Sequence, residues 1–435
     1  MSAGWIGLAS IVTIVLFIFA GAHVTVALGI TSLIGIILIK GSLGPAMDLM
    51  AASAIDSIGA YDFAVIPLFV LMGMFVMMAD IGKDTFNVAS RLMGGLRGGL
   101  GMGTVVANAA FAATTGVSIA SAAVFTRIAV PEMIRHGYSP RFAVGIVAGS
   151  SVLGMLIPPS LLFIVYGILS EASIGKLFLA GIVPGIVLSV LFCLTILLMI
   201  RIRPGYVTHV PSAETSALRL WSDVIRPLFP LVLLVTVVIG GMYKGLFTAT
   251  EAGAVAALSA FIIAIVRRKV NPVSLWRALL DTGHVTAAIC ILIIAAATYS
   301  RMLALSGLPS LMNDWIIAAD LGYYITLLLF IGLILVLGTF LDSVSILLLT
   351  VPLAVPVFTQ FNVDPIWLGV VTVVAVEVGI ITPPLGIAAF VVKSTVNDER
   401  ITLHDVFAGA FPFVLAMCVL LALLVAFPWL ATGIL

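Results

Sequence analysis

Ten apolar runs, each about as long as a helix needs to cross ~30 Å of hydrocarbon, take up most of the chain. They lie at roughly 4–20, 22–39, 64–82, 142–168 and 178–200, and again at roughly 229–245, 249–266, 286–305, 367–392 and 404–428. Charged residues make up 9% of the 435, against roughly 25% in soluble domains, too few to coat a water-facing surface of this size. The main solvent is therefore lipid. There, every backbone donor and acceptor must be satisfied within the fold, which selects an all-α polytopic membrane protein. The net charge of +1 and the absence of basic runs argue against nucleic acid as a partner. Cys193, Cys290 and Cys418 stand far apart inside apolar runs and read as small buried hydrophobes. No positive segment precedes Ile6–Ala20, so that run reads as a retained first span.

Two further apolar stretches, 98–134 and 323–359, are broken in the middle by small polar residues, Thr114-Thr115-Gly116-Val117-Ser118 and Thr339-Phe340-Leu341-Asp342-Ser343. Each half is short for a crossing, so a re-entrant hairpin fits better than a span. The two sets of runs repeat at an offset of 225. Thr114 maps to Thr339, Ser118 to Ser343, Pro140 to Pro365, Gly154 to Gly379 and Pro158-Pro159 to Pro383-Pro384. The chain accordingly divides into an N-terminal repeat (1–205), a polar linker (206–225) holding Pro211, Ser212 and Ser216, and a C-terminal repeat (226–435). Five crossings per repeat is an odd number, which inverts the second copy. With that topology sixteen of the 20 Lys and Arg fall on one side, leaving Lys40, Lys176, Lys244 and Arg301 on the other. The positive-inside bias then turns both termini outward. The segments 44–58 and 269–283 are more amphipathic and read as helices lying along the interface.

A helix interrupted at membrane depth is tolerated where its freed backbone groups meet protein, water or ligand. Four such interruptions pair up: the tip at 114–118 with a break at Gly149–Ser160, and the tip at 339–343 with a break at Glu377–Gly386. Helix N-termini there suit an anion, and unwound carbonyls with Ser and Thr hydroxyls suit Na+. Asp342 and Glu377 are intramembrane carboxylates, each able to serve the site or only the local structure. Arg301 reads as snorkelling outward, Asp80 as a solvated partner of Lys83, and Thr248 with Glu251 as a helix cap. There is no G-x-x-x-x-G-K-[ST] and no H-E-x-x-H, and Ser118 and Ser343 have no base in their own segments, so no catalytic residue is expected.

The tip Ala113–Ser118, the Gly154…Ile157-Pro158-Pro159-Ser160 break, Thr248-Ala249-Thr250-Glu251-Ala252 and Ile381-Thr382-Pro383-Pro384-Leu385-Gly386 resemble the large membrane subunit of tripartite ATP-independent periplasmic (TRAP) transporters. The resemblance implies an ion-transporter-superfamily elevator fold in the bacterial inner membrane. It implies Na+-coupled uptake of an organic anion of the C4-dicarboxylate, keto acid or sialic acid type, with Na+ as coupling ion and no cofactor. A small four-helix membrane subunit and a periplasmic substrate-binding protein would be the partners. Na+ would be held by Thr114, Ser118, Ser150, Gly154 and Pro158 in one half and by Thr339, Ser343, Gly379 and Pro383 in the other. Gly116, Ser160, Asp342 and Glu377 would be the candidates for a substrate pocket between the tips. The alternative is a stand-alone Na+:carboxylate symporter or exchanger of the same superfamily, working without a binding protein.

Overall fold

The computed structural model describes residues 3–208, 220–396 and 398–435. The expected linker residues Pro211, Ser212 and Ser216 lie outside the described residues. The chain opens with α1 (Ala3–Phe19), α2 (Val24–Lys40) and α3 (Leu43–Gly59), then a 3-10 turn (Tyr61–Ala64) leads into α4 (Val65–Met78) and α5 (Ile81–Met93). The first hairpin is α6 (Gly99–Thr115) and α7 (Ser118–Arg135). Next come α8 (Pro140–Ser151), the short α9 (Leu153–Leu156), α10 (Leu161–Ser170) and the long α11 (Ile174–Ile202). The second half holds α12 (Arg226–Val235), α13 (Gly241–Tyr243), α14 (Ala249–Val266), α15 (Pro272–Ser306) and α16 (Leu308–Ala318). The second hairpin is α17 (Tyr323–Gly338) and α18 (Ser343–Gln360), followed by α19 (Pro365–Ile381), α20 (Ile387–Thr395), α21 (Leu403–Ala426) and α22 (Trp429–Thr432).

Among the described residues, seven helical stretches are long and apolar enough to cross a membrane, and an eighth is the pair Pro140–Leu156 and Leu161–Ser170, bent by 41°. The chain is thus an all-α polytopic membrane protein. The apolar runs and both broken stretches are mainly helix, with 142–168 and 367–392 interrupted at 157–160 and 382–386 and the broken stretches at their tips. Helix bounds recur 225 residues apart: Ser118–Arg135 with Ser343–Gln360, and prolines at the first turn of α8 and of α19. Proline is at home there, since the first-turn N–H has no intrahelical partner.

Three local readings change. The segment 269–283 is not a separate interfacial helix. Asn271 and Ser274 form a capping box, and α15 then runs unbroken for 35 residues, because nothing before Gly307 stops it. In the first half Ala60 is extended and the 3-10 turn intervenes. Asp80 pairs not with Lys83 but with Lys269, at 2.6 Å, and Asp84 with Arg267 at 2.5 Å, tying the α4–α5 turn to the α14–α15 turn. Arg301 does not snorkel alone; its guanidinium meets Asp56 of α3 at 2.5 Å. The Thr248–Glu251 capping box is present as expected.

Packing sorts the helices into two groups. In one, α14 lies on α4 and α15 lies on α2, α3 and α4. In the other, α21 lies on α8 and α11, and α17 on α19. α5 is amphipathic, burying Ile81, Phe86 and Val88 while exposing Lys83, Asn87 and Arg91. The second group has glycine seams. A Cβ on Gly145 of α8 would fall 2.2 Å from the carbonyl carbon of Gly409 of α21, so the two backbones touch.

Candidate functional site

The first tip closes because Gly116 adopts φ +63°, in the left-handed region that glycine enters at no steric cost, and its N–H caps Ala112 O. Val117 is extended and α7 starts at Ser118. The facing break is narrower than the sequence suggested. Helix continues through Ser150 and Ser151, Val152 is a one-residue turn before α9, and Ile157–Ser160 then leave it. Pro158 and Pro159 cannot donate to a helical ladder, and Ser160 restarts the chain as the N-cap of α10. The Ser160 hydroxyl also donates to Met155 O, satisfying a carbonyl that the break strands. Tip and break meet backbone to backbone. Leu161 N donates to Gly116 O at 3.2 Å. A Cβ on Gly154 would lie 3.0 Å from Ser118 N.

The second pair is built the same way with different residues. α17 ends at Gly338, and Asp342 caps α18 by accepting from Ser345 N at 3.2 Å and from the Ser345 hydroxyl. Leu385 N donates to Thr339 O at 3.2 Å. Gly338 and Gly379 touch: a Cβ on the first would be 2.5 Å from the Cα of the second. Here too the break is shorter than read, 382–386, so Glu377 sits inside α19 instead of opening the break. Its Oε1 accepts from Ser343 Oγ at 3.4 Å. Thr114 and Thr339 use their hydroxyls on Phe111 O and Val336 O, each at 2.8 Å.

The two pairs are neighbours, since α18 packs on α10 and α7 on α20. Each pair thus gathers two helix N-termini and two C-terminal ends. The N-termini carry partial positive charge and the C-terminal carbonyls partial negative charge, so one place can hold an anion beside a small cation. Among the described residues no three His, Cys, Asp or Glu side chains cluster as for a transition metal. Cavities of about 230 Å³ among α16–α18 and about 350 Å³ around Asp62, Lys176 and Phe247 lie away from the tips.

The sequence reading missed Asn108. It is fully buried on α6, donates from Nδ2 to Ser150 Oγ at 2.6 Å and accepts from Ser121 Oγ at 2.5 Å, joining α6, α7 and α8. A lone Asn in an apolar hairpin arm was the available signal, because polar groups at that depth need partners. Replacing Asn108 with Ala strands the buried Ser121 hydroxyl and removes a donor from Ser150, and we expect a loss of about 1–3 kcal/mol, read as a lower Tm of the purified protein; an unchanged Tm contradicts it.

Comparison with known proteins agrees with this architecture. The family described as "Tripartite ATP-independent periplasmic transporter, DctM component" matches residues 11–430. A C4-dicarboxylate TRAP transporter large permease protein of Pseudomonas aeruginosa is 33% identical, over 85% of this chain and 84% of its own. A sialic acid TRAP transporter large permease protein of Vibrio cholerae is 32% identical, over 98% of this chain and 95% of its own. The solved YdaH transporter of Alcanivorax borkumensis has a similar fold, with a TM-score of 0.64 at 15% identity, over 89% of this chain and 90% of its own. Breaks, hairpins and sequence together place this chain in the tripartite ATP-independent periplasmic transporter family, as a large membrane subunit.

Proposed function

We propose that the chain is the permease of a Na+-coupled uptake system for a small organic anion delivered by a periplasmic binding protein. The observation that carries the reading is the paired, backbone-to-backbone meeting of each hairpin tip with a diproline break. Such meetings leave carbonyls, hydroxyls and helix ends facing one another at membrane depth, the chemistry that suits a coupling cation and an anionic passenger. In this reading Thr114, Ser118, Ser150, Gly154 and Pro158 surround one Na+, and Thr339, Ser343, Gly379 and Pro383 surround another. The anion lies between the tips near Gly116, Ser160 and Asp342. The relatives' names supply the substrate class, C4-dicarboxylate or sialic acid.

The 225-residue recurrence of helix bounds supports two inverted repeats, and the two packing groups support an elevator in which the hairpin-bearing group moves against the other. A small membrane subunit completes the complex in the inner membrane of a bacterium, with both termini periplasmic. Uptake into proteoliposomes is the test. It should require an inward Na+ gradient, the small subunit and the binding protein together, and saturable uptake by this chain alone would favour a stand-alone symporter instead.

A further inference from the structure

Among the described residues, Glu377 is the one Asp, Glu, Lys or Arg side chain in the buried class, 2% exposed on a helix whose residues from Ile366 to Ile381 are all buried. It takes part in none of the described ion pairs. One carboxylate oxygen faces Ser343 Oγ at 3.4 Å, and the other, Oε2, has no partner. A desolvated carboxylate charge without a counter-charge costs several kcal/mol, and a cation at the open oxygen offsets that cost. An organic anion is the wrong visitor. Like charges repel at close range, and unlike Asp342, whose two oxygens are taken by Ser345, Glu377 has an open oxygen. A small cation is the right one, and the hydroxyl of Ser343, at the start of α18, supplies a second oxygen beside it.

The first half has no such group. The residue 225 positions before Glu377 is Val152, and the polar side chains there, Ser118 and Ser150, are neutral. Resting on the Na+-coupled reading above, we propose that Glu377 and Ser343 form an anionic site for a monovalent cation in the second half, whereas the first-half site is neutral. The two coupling ions are therefore not equivalent. The second is bound as a charge-neutral pair with the protein, tightly and in a way a neutral side chain cannot reproduce. The first leaves its positive charge to attract the anionic passenger.

Equilibrium binding of radiolabelled Na+ to the purified full-length chain tests this. Glu377→Gln should lose about half of the bound Na+, one site of two. Glu377→Asp keeps the charge but withdraws it by one methylene, and should keep both sites while weakening one on the order of tenfold. It also serves if Glu377→Gln does not fold. Binding by either variant with the wild-type amount and half-saturation overturns the anionic site and leaves Na+ coupling standing. No Na+ bound by the wild type overturns the coupling reading itself, and this assignment with it.

Discussion

Gly145→Val is expected to cost at least about 3 kcal/mol and to leave little folded protein, and Gly409→Val to do the same. The reason is that no side chain can move aside. A Cβ on Gly145 would sit 2.2 Å from Gly409 C, and a Cβ on Gly409 would sit 2.1 Å from Arg141 O. Both obstacles are backbone of a packed helix, so the whole α8–α21 crossing must separate. That crossing buries Phe413, which meets Phe192 edge-on with ring centroids 5.4 Å apart. Small residues let membrane helices approach closely where lipid supplies no hydrophobic drive to associate, and a branched side chain removes that approach. Tm and the monodisperse fraction of the purified protein measure it. A Tm within a degree or so of wild type contradicts the packing described.

Gly116→Ala should instead leave the fold intact and lower Na+-driven uptake on the order of a hundredfold, the cost of displacing reacting groups by about an ångström. Alanine at φ +63° carries a strain of about 1 kcal/mol, and its Cβ would fall 2.4 Å from Pro159 O, closer than any such contact allows. The tip must then lift off the diproline break, losing the Leu161 N–Gly116 O hydrogen bond. Gly21→Ala is the control. Its φ of +85° imposes a similar strain, but a Cβ there meets nothing within 4 Å. Equal loss of uptake in the two variants would mean that backbone strain, not tip position, is responsible.

The elements were legible because their signals are local. Hydrophobic length marks a helix in lipid, and Gly116, Asp342 and the prolines mark where helices stop and start. The positions of Thr114, Ser118, Thr339 and Ser343 at the tips could be read the same way. What was not legible depends on which helix lies opposite. Asp80 has Lys83 one turn away in sequence, yet the fold brings Lys269 to it across 189 residues. The breaks were read too long at Gly149 and Glu377, since small and polar residues weaken a helix in water while neighbours that satisfy them, as Asn108 does Ser150, keep it wound in the interior. Asn108 itself was hidden, because its partners come from two other helices.

The account stands on the cation being held where tip and break meet, and the Na+ dependence of reconstituted uptake by Ser118→Ala and Ser343→Ala tests that most directly. Both variants are expected to need on the order of tenfold more Na+ for half-maximal uptake, each having lost one oxygen from a site. Uptake by both variants with the wild-type dependence on Na+ would contradict it.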